Sequence, residues 1–157
     1  MDLQLSDKGL EFIKICEGYK NQCYPDSRQK PTIGIGHLID LKKERYLLKK
    51  VLTDQEIKLL FAMDQAPINK FLNNLNWGDP IKQHEFDALS SFLHQYTGVI
   101  YGIGAYKGTY RAILSGDRKK IAEFMSLFKN ETAGSGDNKM IPRRNKEIKL
   151  FLEGKYQ

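Results

Sequence analysis

Cysteine is scarce in this chain. Only Cys16 and Cys23 occur among 157 residues, and neither stands at a metal-ligand spacing from the three histidines. This excludes a disulfide-dense scaffold and gives no ground in the sequence for a metal site. The two thiols read as small buried hydrophobes, with a disulfide flanking position 17 as the alternative. Long apolar runs are missing too. None approaches the roughly 20 residues needed to span a bilayer, and the start, Met1-Asp2-Leu3-Gln4-Leu5-Ser6-Asp7-Lys8, lacks a basic segment followed by an apolar one. The expectation is a chain with no stable membrane insertion, made in the cytoplasm and released by another agent if it acts outside. There are no repeats, low-complexity tracts or nucleic-acid-binding motifs. The net charge of +6 is spread over Lys42-Lys43, Lys49-Lys50, Arg118-Lys119-Lys120 and Arg143-Arg144. Scattered pairs suit solvated faces or a general polyanion rather than a nucleic-acid partner.

What remains is one domain, long enough to bury about 68–70% of its unfolded surface. Leu5, Leu10, Phe12, Ile13 and Cys16 set an apolar stripe on a helix that begins near the cap Ser6 and ends at Gly18. Residues 19–39 carry aromatic and β-branched residues punctuated by Pro25-Asp26-Ser27, Lys30-Pro31, Gly34 and Gly36, which predicts a small antiparallel hairpin unit. Thr53 and Glu56 form a capping box opening a long helix that runs until Asn76 and Gly78, with Pro67 expected to kink or split it. Asp79-Pro80 predicts the cap and first turn of the next helix, whose apolar face is Phe86, Leu89, Phe92 and Leu93. Shorter helices are expected over about 108–115, after Asp117 and from Pro142 to Leu152, with a loop from Thr132 to Asn138. The fold class is α+β and mostly helical. A small hairpin lobe (about 1–52) joins a helical lobe (about 76–157) through a connecting helix (about 53–75), leaving a cleft.

Three residues in the first segment carry chemistry. Glu17 closes the first helix, Asp26 follows Pro25 in a turn, and Thr32 opens Thr32-Ile33-Gly34-Ile35-Gly36-His37. Two carboxylates flanking a cleft suit glycosidic hydrolysis, in which one group protonates the leaving oxygen and an ionised group acts on the opposite face of the sugar, directly or through water. Glu17 is the candidate general acid, Asp26 the second carboxylate, and the Thr32 hydroxyl can orient a water. Gly34 and Gly36 allow a bend or a close approach of sugar to backbone.

The same residues resemble the phage-type lysozymes, or endolysins, of glycoside hydrolase family 24. In that family a Glu ends the N-terminal helix, Asp and Thr lie on the following hairpin, and the run after Thr reads T-I-G-x-G-H. The likeness continues through Ala88-Leu89-Ser90-Ser91-Phe92, Gly108-Thr109-Tyr110 and Pro142-Arg143-Arg144 with Glu147 and Phe151. The resemblance implies a lysozyme-like two-lobed fold and hydrolysis of the β-1,4 bond between N-acetylmuramic acid and N-acetylglucosamine in peptidoglycan. Inversion, no metal and no cofactor are implied with it. Asp26 and Thr32 would together hold the attacking water, and Gly36, His37 and Leu38 would flank the cleft as support. Gln95 would be a polar sugar contact, although His94 stands where the family has an aromatic and Gly98 is displaced. Arg144 would be the arginine beside the catalytic Glu. The implied biology is a monomer released to the periplasm or wall by a holin or other export route. The alternatives are a secreted antibacterial lysozyme effector and a non-catalytic glycan-binding module. A chain of this length leaves no room for a separate wall-binding domain, which points to a thin, Gram-negative wall.

Overall fold

The computed structural model describes residues 2–26, 28–129 and 140–157. The expected loop from Thr132 to Asn138, and Ser27 of the expected turn, lie outside the described residues.

Helix α1 spans Asp7–Glu17, and the Ser6 hydroxyl accepts from the Gly9 amide at 3.0 Å as its N-cap. It stops where Gly18 takes φ 86°, a conformation that leaves the helical ladder at low cost only for glycine. The chain then forms a three-stranded antiparallel sheet in the order β1 (Lys20–Pro25), β2 (Pro31–Gly34), β3 (His37–Leu38). Tyr24 pairs with Thr32, and Thr32 with Leu38. A short 3-10 helix, Arg45–Leu48, leads to α2 (Asp54–Asn73). The Thr53–Glu56 capping box is present in both directions, at 3.0 and 3.1 Å.

Pro67 does not split α2, which continues through it as one helix of 20 residues. Met63, whose carbonyl loses its donor to the proline, is an exposed residue that borders the cleft together with Pro67. The next helix, α3, spans Gln83–Gln95 and not the turn at Asp79-Pro80. Glu85 decides this start, because its carboxylate accepts from the Lys82 amide at 2.8 Å. Asp79 is instead drawn to Arg118, 3.0 Å away. Helices α4 (Lys107–Ser115), α5 (Arg118–Met125) and α6 (Met140–Glu153) complete the large lobe, with Asp117 capping α5. Two 3-10 turns, Thr97–Tyr101 and Gly104–Tyr106, lie between α3 and α4.

Burial separates into two cores. Ile13, Ile33, Ile35, Ile39, Leu47, Leu52, Ile57 and Phe61 form the small one. Phe12, Ile68, Leu72, Phe86, Leu89, Phe92, Leu150 and Phe151 belong to the large one. At about 1.5–3 kcal/mol for each fully buried large apolar side chain, both are substantial. Two helices contribute to both cores: α1 sends Phe12 one way and Ile13 the other, and α2 sends Ile57 and Phe61 to the small core and Ile68 and Leu72 to the large. A cleft of about 900 Å³ lies where the two cores meet.

Candidate active site

The C-terminus of α1, the β1–β2 turn and the start of β2 bring Glu17, Asp26 and Thr32 to the wall of one cleft. Asp26 is held by the turn it initiates. Its Oδ1 accepts from the amides of Arg28 and Lys30, both at 2.8 Å. Its other oxygen, Oδ2, has Arg28 Nη2 4.0 Å away. The turn role and the cleft position therefore coexist on one residue. Thr32 is buried, and its hydroxyl donates to the Lys30 carbonyl at 3.0 Å. With the hydrogen committed there, the remaining capacity of that oxygen is as an acceptor.

The arginine beside Glu17 is Arg143, not Arg144 as the resemblance suggested. Arg143 Nη1 lies 2.8 Å from Glu17 Oε1, its Nε is 3.2 Å from Glu147 Oε2, and its Nη2 donates to the Ser91 carbonyl at 3.0 Å. Burial opposes its charge, but Glu17 and Glu147 outweigh that and hold its pKa above that of an ordinary arginine. Arg144 is fully buried and faces elsewhere. It donates to the Phe128 carbonyl at 2.9 Å and to the side chains of Glu147 and Gln95, with its guanidinium over the Phe92 and Tyr96 rings. Neighbouring residues of a helix with 3.6 per turn point about 100° apart, and although both arginines reach Glu147, Arg143 is the one of the two that pairs with Glu17. Arg144 fixes Gln95, which borders the same cleft.

Gly36, with φ 67°, packs directly on Glu17: a Cβ there would lie 2.4 Å from Glu17 Oε2. His37 bridges two carboxylates, Nδ1 to Asp64 at 2.7 Å and Nε2 to Glu44 at 2.9 Å. Burial alone would lower its pKa, but hydrogen bonds and attraction from Asp64 and Glu44 prevail and raise it to about 9. The ring is thus an imidazolium that ties β3 to α2. Leu38 is half exposed on the cleft. His94 stacks on Phe61 with centroids 4.6 Å apart and bonds the Gln65 side chain, while burial drives its pKa down to about 4. A neutral ring packed between α2 and α3 therefore occupies the position where an aromatic was expected. Cys16 and Cys23 are free thiols, one against each core.

Arg143, Glu44 and Asp64 were not singled out in the sequence. Arg143 had no signal that sets it apart, since it and Arg144 both stand at helical spacing from Glu147 and both pair with it. Glu44 and Asp64 had none, because their partner is distant in the chain. Among the described residues no helix is long and apolar enough to cross a membrane. No group of three or more His, Cys, Asp or Glu among them is arranged to hold a metal ion.

Comparison with known proteins places this site in a family. The phage lysozyme family model matches residues 14–147. The chain is 29% identical over 154 residues to the endolysin of Salmonella phage P22, covering 96% of this chain and 99% of that one. Among solved structures it resembles the endolysin from Escherichia coli O157:H7 phage FAHEc1, with a TM-score of 0.72 and 27% identity over 99% of this chain and 97% of that one. It also resembles the muramidase domain of SpmX from Asticaccaulis excentricus, with a TM-score of 0.70 and 25% identity over 95% and 97% of the two chains. Matched through both lobes and across the cleft, the chain belongs to the phage lysozyme family.

Proposed function

We propose that this lysozyme cuts the β-1,4 bond between N-acetylmuramic acid and N-acetylglucosamine of peptidoglycan by acid-assisted attack of water, with inversion. The observation that carries the reading is a pair of acceptor oxygens in the cleft wall. Among the described residues the turn amides go to Asp26 Oδ1 while Oδ2 has Arg28 Nη2 4.0 Å away, and Thr32 Oγ1, its hydrogen given to Lys30, has lone pairs left to accept with. A water giving one hydrogen to each aims its own lone pair into the cleft, at an anomeric carbon. Glu17 gives its proton to the leaving oxygen as the C–O bond breaks. The water oxygen bonds the carbon, and the proton it sheds passes to Asp26. Arg143, at 2.8 Å, then stabilises the carboxylate left on Glu17. Gly36 and His37 support this arrangement, and Leu38 and Gln95 face the glycan. A lobe of about 1–52, a connector of about 53–75 and a lobe of about 76–157 are the proposed organisation, with α1 shared between the lobes.

Action on the wall after release by a holin or an export machine, as a monomer, completes the reading. Two measurements test it. Glu17→Gln should lose at least about a hundredfold in clearing of chloroform-treated Gram-negative cells, since general acid catalysis contributes roughly 10²–10⁴. Proton NMR of freshly released muramic-acid ends should show the α anomer first, because a water between the carboxylates requires roughly 6.5–9.5 Å between them, whereas a direct nucleophile needs about 5–5.5 Å. Initial β anomer would make Asp26 the nucleophile. Binding of glycan without any cleavage by the unaltered protein would identify a binding module instead.

A further inference from the structure

Glu17 and Asp26 come from different elements, and their separation decides the course of the reaction, so whatever fixes that separation belongs to the machinery. Three observations converge on Tyr24. It is the cross-strand partner of Thr32 in the β1–β2 ladder. It stands two residues before Asp26, which follows the end of β1 at Pro25. Its half-buried hydroxyl donates to the backbone carbonyl of Glu17 itself, at 3.3 Å.

That carbonyl is in need of a donor. It closes α1, where the last carbonyls have no partner within the helix. The turn at Gly18 sends the chain away, and the Gly18 amide is already given to Lys14. The phenol takes the place of the missing turn. Burial first, then the Glu17 and Asp26 carboxylates, raise its pKa, so it remains a protonated donor throughout the working range.

We propose that Tyr24 is a positioning residue: its hydroxyl braces the end of α1 against the strand that carries Asp26 and so sets the gap between the two carboxylates in which the attacking water fits. This rests on the catalytic roles proposed for Glu17, Asp26 and Thr32. It adds a fourth residue that acts through them without touching the reacting atoms.

The test is Tyr24→Phe, which keeps the ring and removes one O–H, assayed on soluble uncross-linked peptidoglycan strands. A displacement of 1 Å can cost about a hundredfold. Loosening of a few tenths of an ångström should therefore lower kcat roughly tenfold, with KM held within about twofold. A double-mutant cycle supplies a readout that a merely structural role would not move. On an Asp26→Asn background, where there is no carboxylate left to position, the same change should cost less than about twofold. A raised KM with kcat intact would overturn the inference in favour of direct sugar contact. So would full additivity with Asp26→Asn, or a kcat loss matched by the fall in folded fraction measured by circular dichroism. A Glu17→Gln variant that keeps its activity would overturn the catalytic pair itself and the brace with it, an outcome recognisable because it does not involve Tyr24 at all.

Discussion

Gly36→Ala is the most informative single substitution, because two separable effects meet there and a control isolates one of them. The backbone at Gly36 has φ 67°, and an alanine in that left-handed conformation costs about 1–2 kcal/mol. The added methyl would also lie 2.4 Å from Glu17 Oε2, 2.8 Å from its Cδ and 3.0 Å from its Cβ. Rotating the carboxylate relieves only the first contact, a rotamer change that also moves Cδ would take Glu17 off Arg143, and the Cβ contact yields only if the end of α1 shifts. Overpacking of this kind costs about 1–3 kcal/mol. Gly78 has nearly the same backbone, φ 70°, with nothing within 4 Å of a built Cβ, so Gly78→Ala carries the backbone term alone. At roughly 2–4 °C per kcal/mol for a domain of this size, Gly78→Ala should lower the thermal midpoint by about 2–8 °C and Gly36→Ala by about 4–20 °C. Activity should separate them further. With both assayed well below their midpoints and normalised to folded fraction, Gly78→Ala should clear cells like the unaltered protein, while Gly36→Ala should lose about a hundredfold if Glu17 moves by about 1 Å. Clearing by Gly36→Ala within about threefold of the Gly78 control would refute the idea that this glycine exists to make room for the Glu17 side chain.

Two further predictions follow from the charged groups around the cleft. The pKa of His37 is raised from 6.5 to about 9 in the folded chain. Its stabilisation should therefore be complete below about pH 6.5 and lost as pH rises through 9. The size is about 3 kcal/mol at most, less in practice because Asp64 exposes 33% of its side chain. Denaturant titrations across that window should show the decline, and His37→Gln should flatten it; an unchanged slope would remove His37 from the account. Arg143→Met leaves Glu147 buried with Arg144 and the Ser91 hydroxyl as partners, and should lower the unfolding free energy by up to about 3 kcal/mol, below the full cost of a wholly unpaired buried charge. Arg143→Lys should fold better yet still clear slowly, since a point charge cannot serve Glu17, Glu147 and the Ser91 carbonyl together. Full activity in the lysine variant would show that charge alone suffices beside Glu17.

Local chemistry was the legible part of the sequence. Ser6, Gly18, the Thr53–Glu56 box and Asp117 each fix an element boundary through bonds within a few residues, and each stands where its residue type predicts. The start of α3 was misread because Glu85 and the distant Arg118 compete with the local signal of Asp79-Pro80. Pro67 does not produce a split, because α2 carries apolar residues into a core on either side of it and runs on as one helix. The arginines show the limit most clearly. Position 143 or 144 is a matter of rotation about α6, and that rotation is set by packing of Leu150 and Phe151 in the large core, which no local motif encodes. His37 follows the same rule: its residue type was readable, but its two carboxylates arrive from seven and 27 residues away.

The placement of Glu17 follows from α1 belonging to both cores. A helix packed wholly on the small core would carry Glu17 along with Asp26 whenever the lobes moved, and would leave Arg143 behind on the large lobe. A helix packed wholly on the large core would keep Arg143 and lose a fixed distance to Asp26. With Phe12 in one core and Ile13 in the other, α1 resists both displacements. Its last residue is then held from three sides, by Arg143 on the large lobe, by Gly36 of the hairpin and by the Tyr24 hydroxyl on its carbonyl. Any movement of one lobe against the other would therefore leave the spacing of Glu17 and Asp26 nearly unchanged and fall instead on large-lobe residues of the cleft wall such as Gln95.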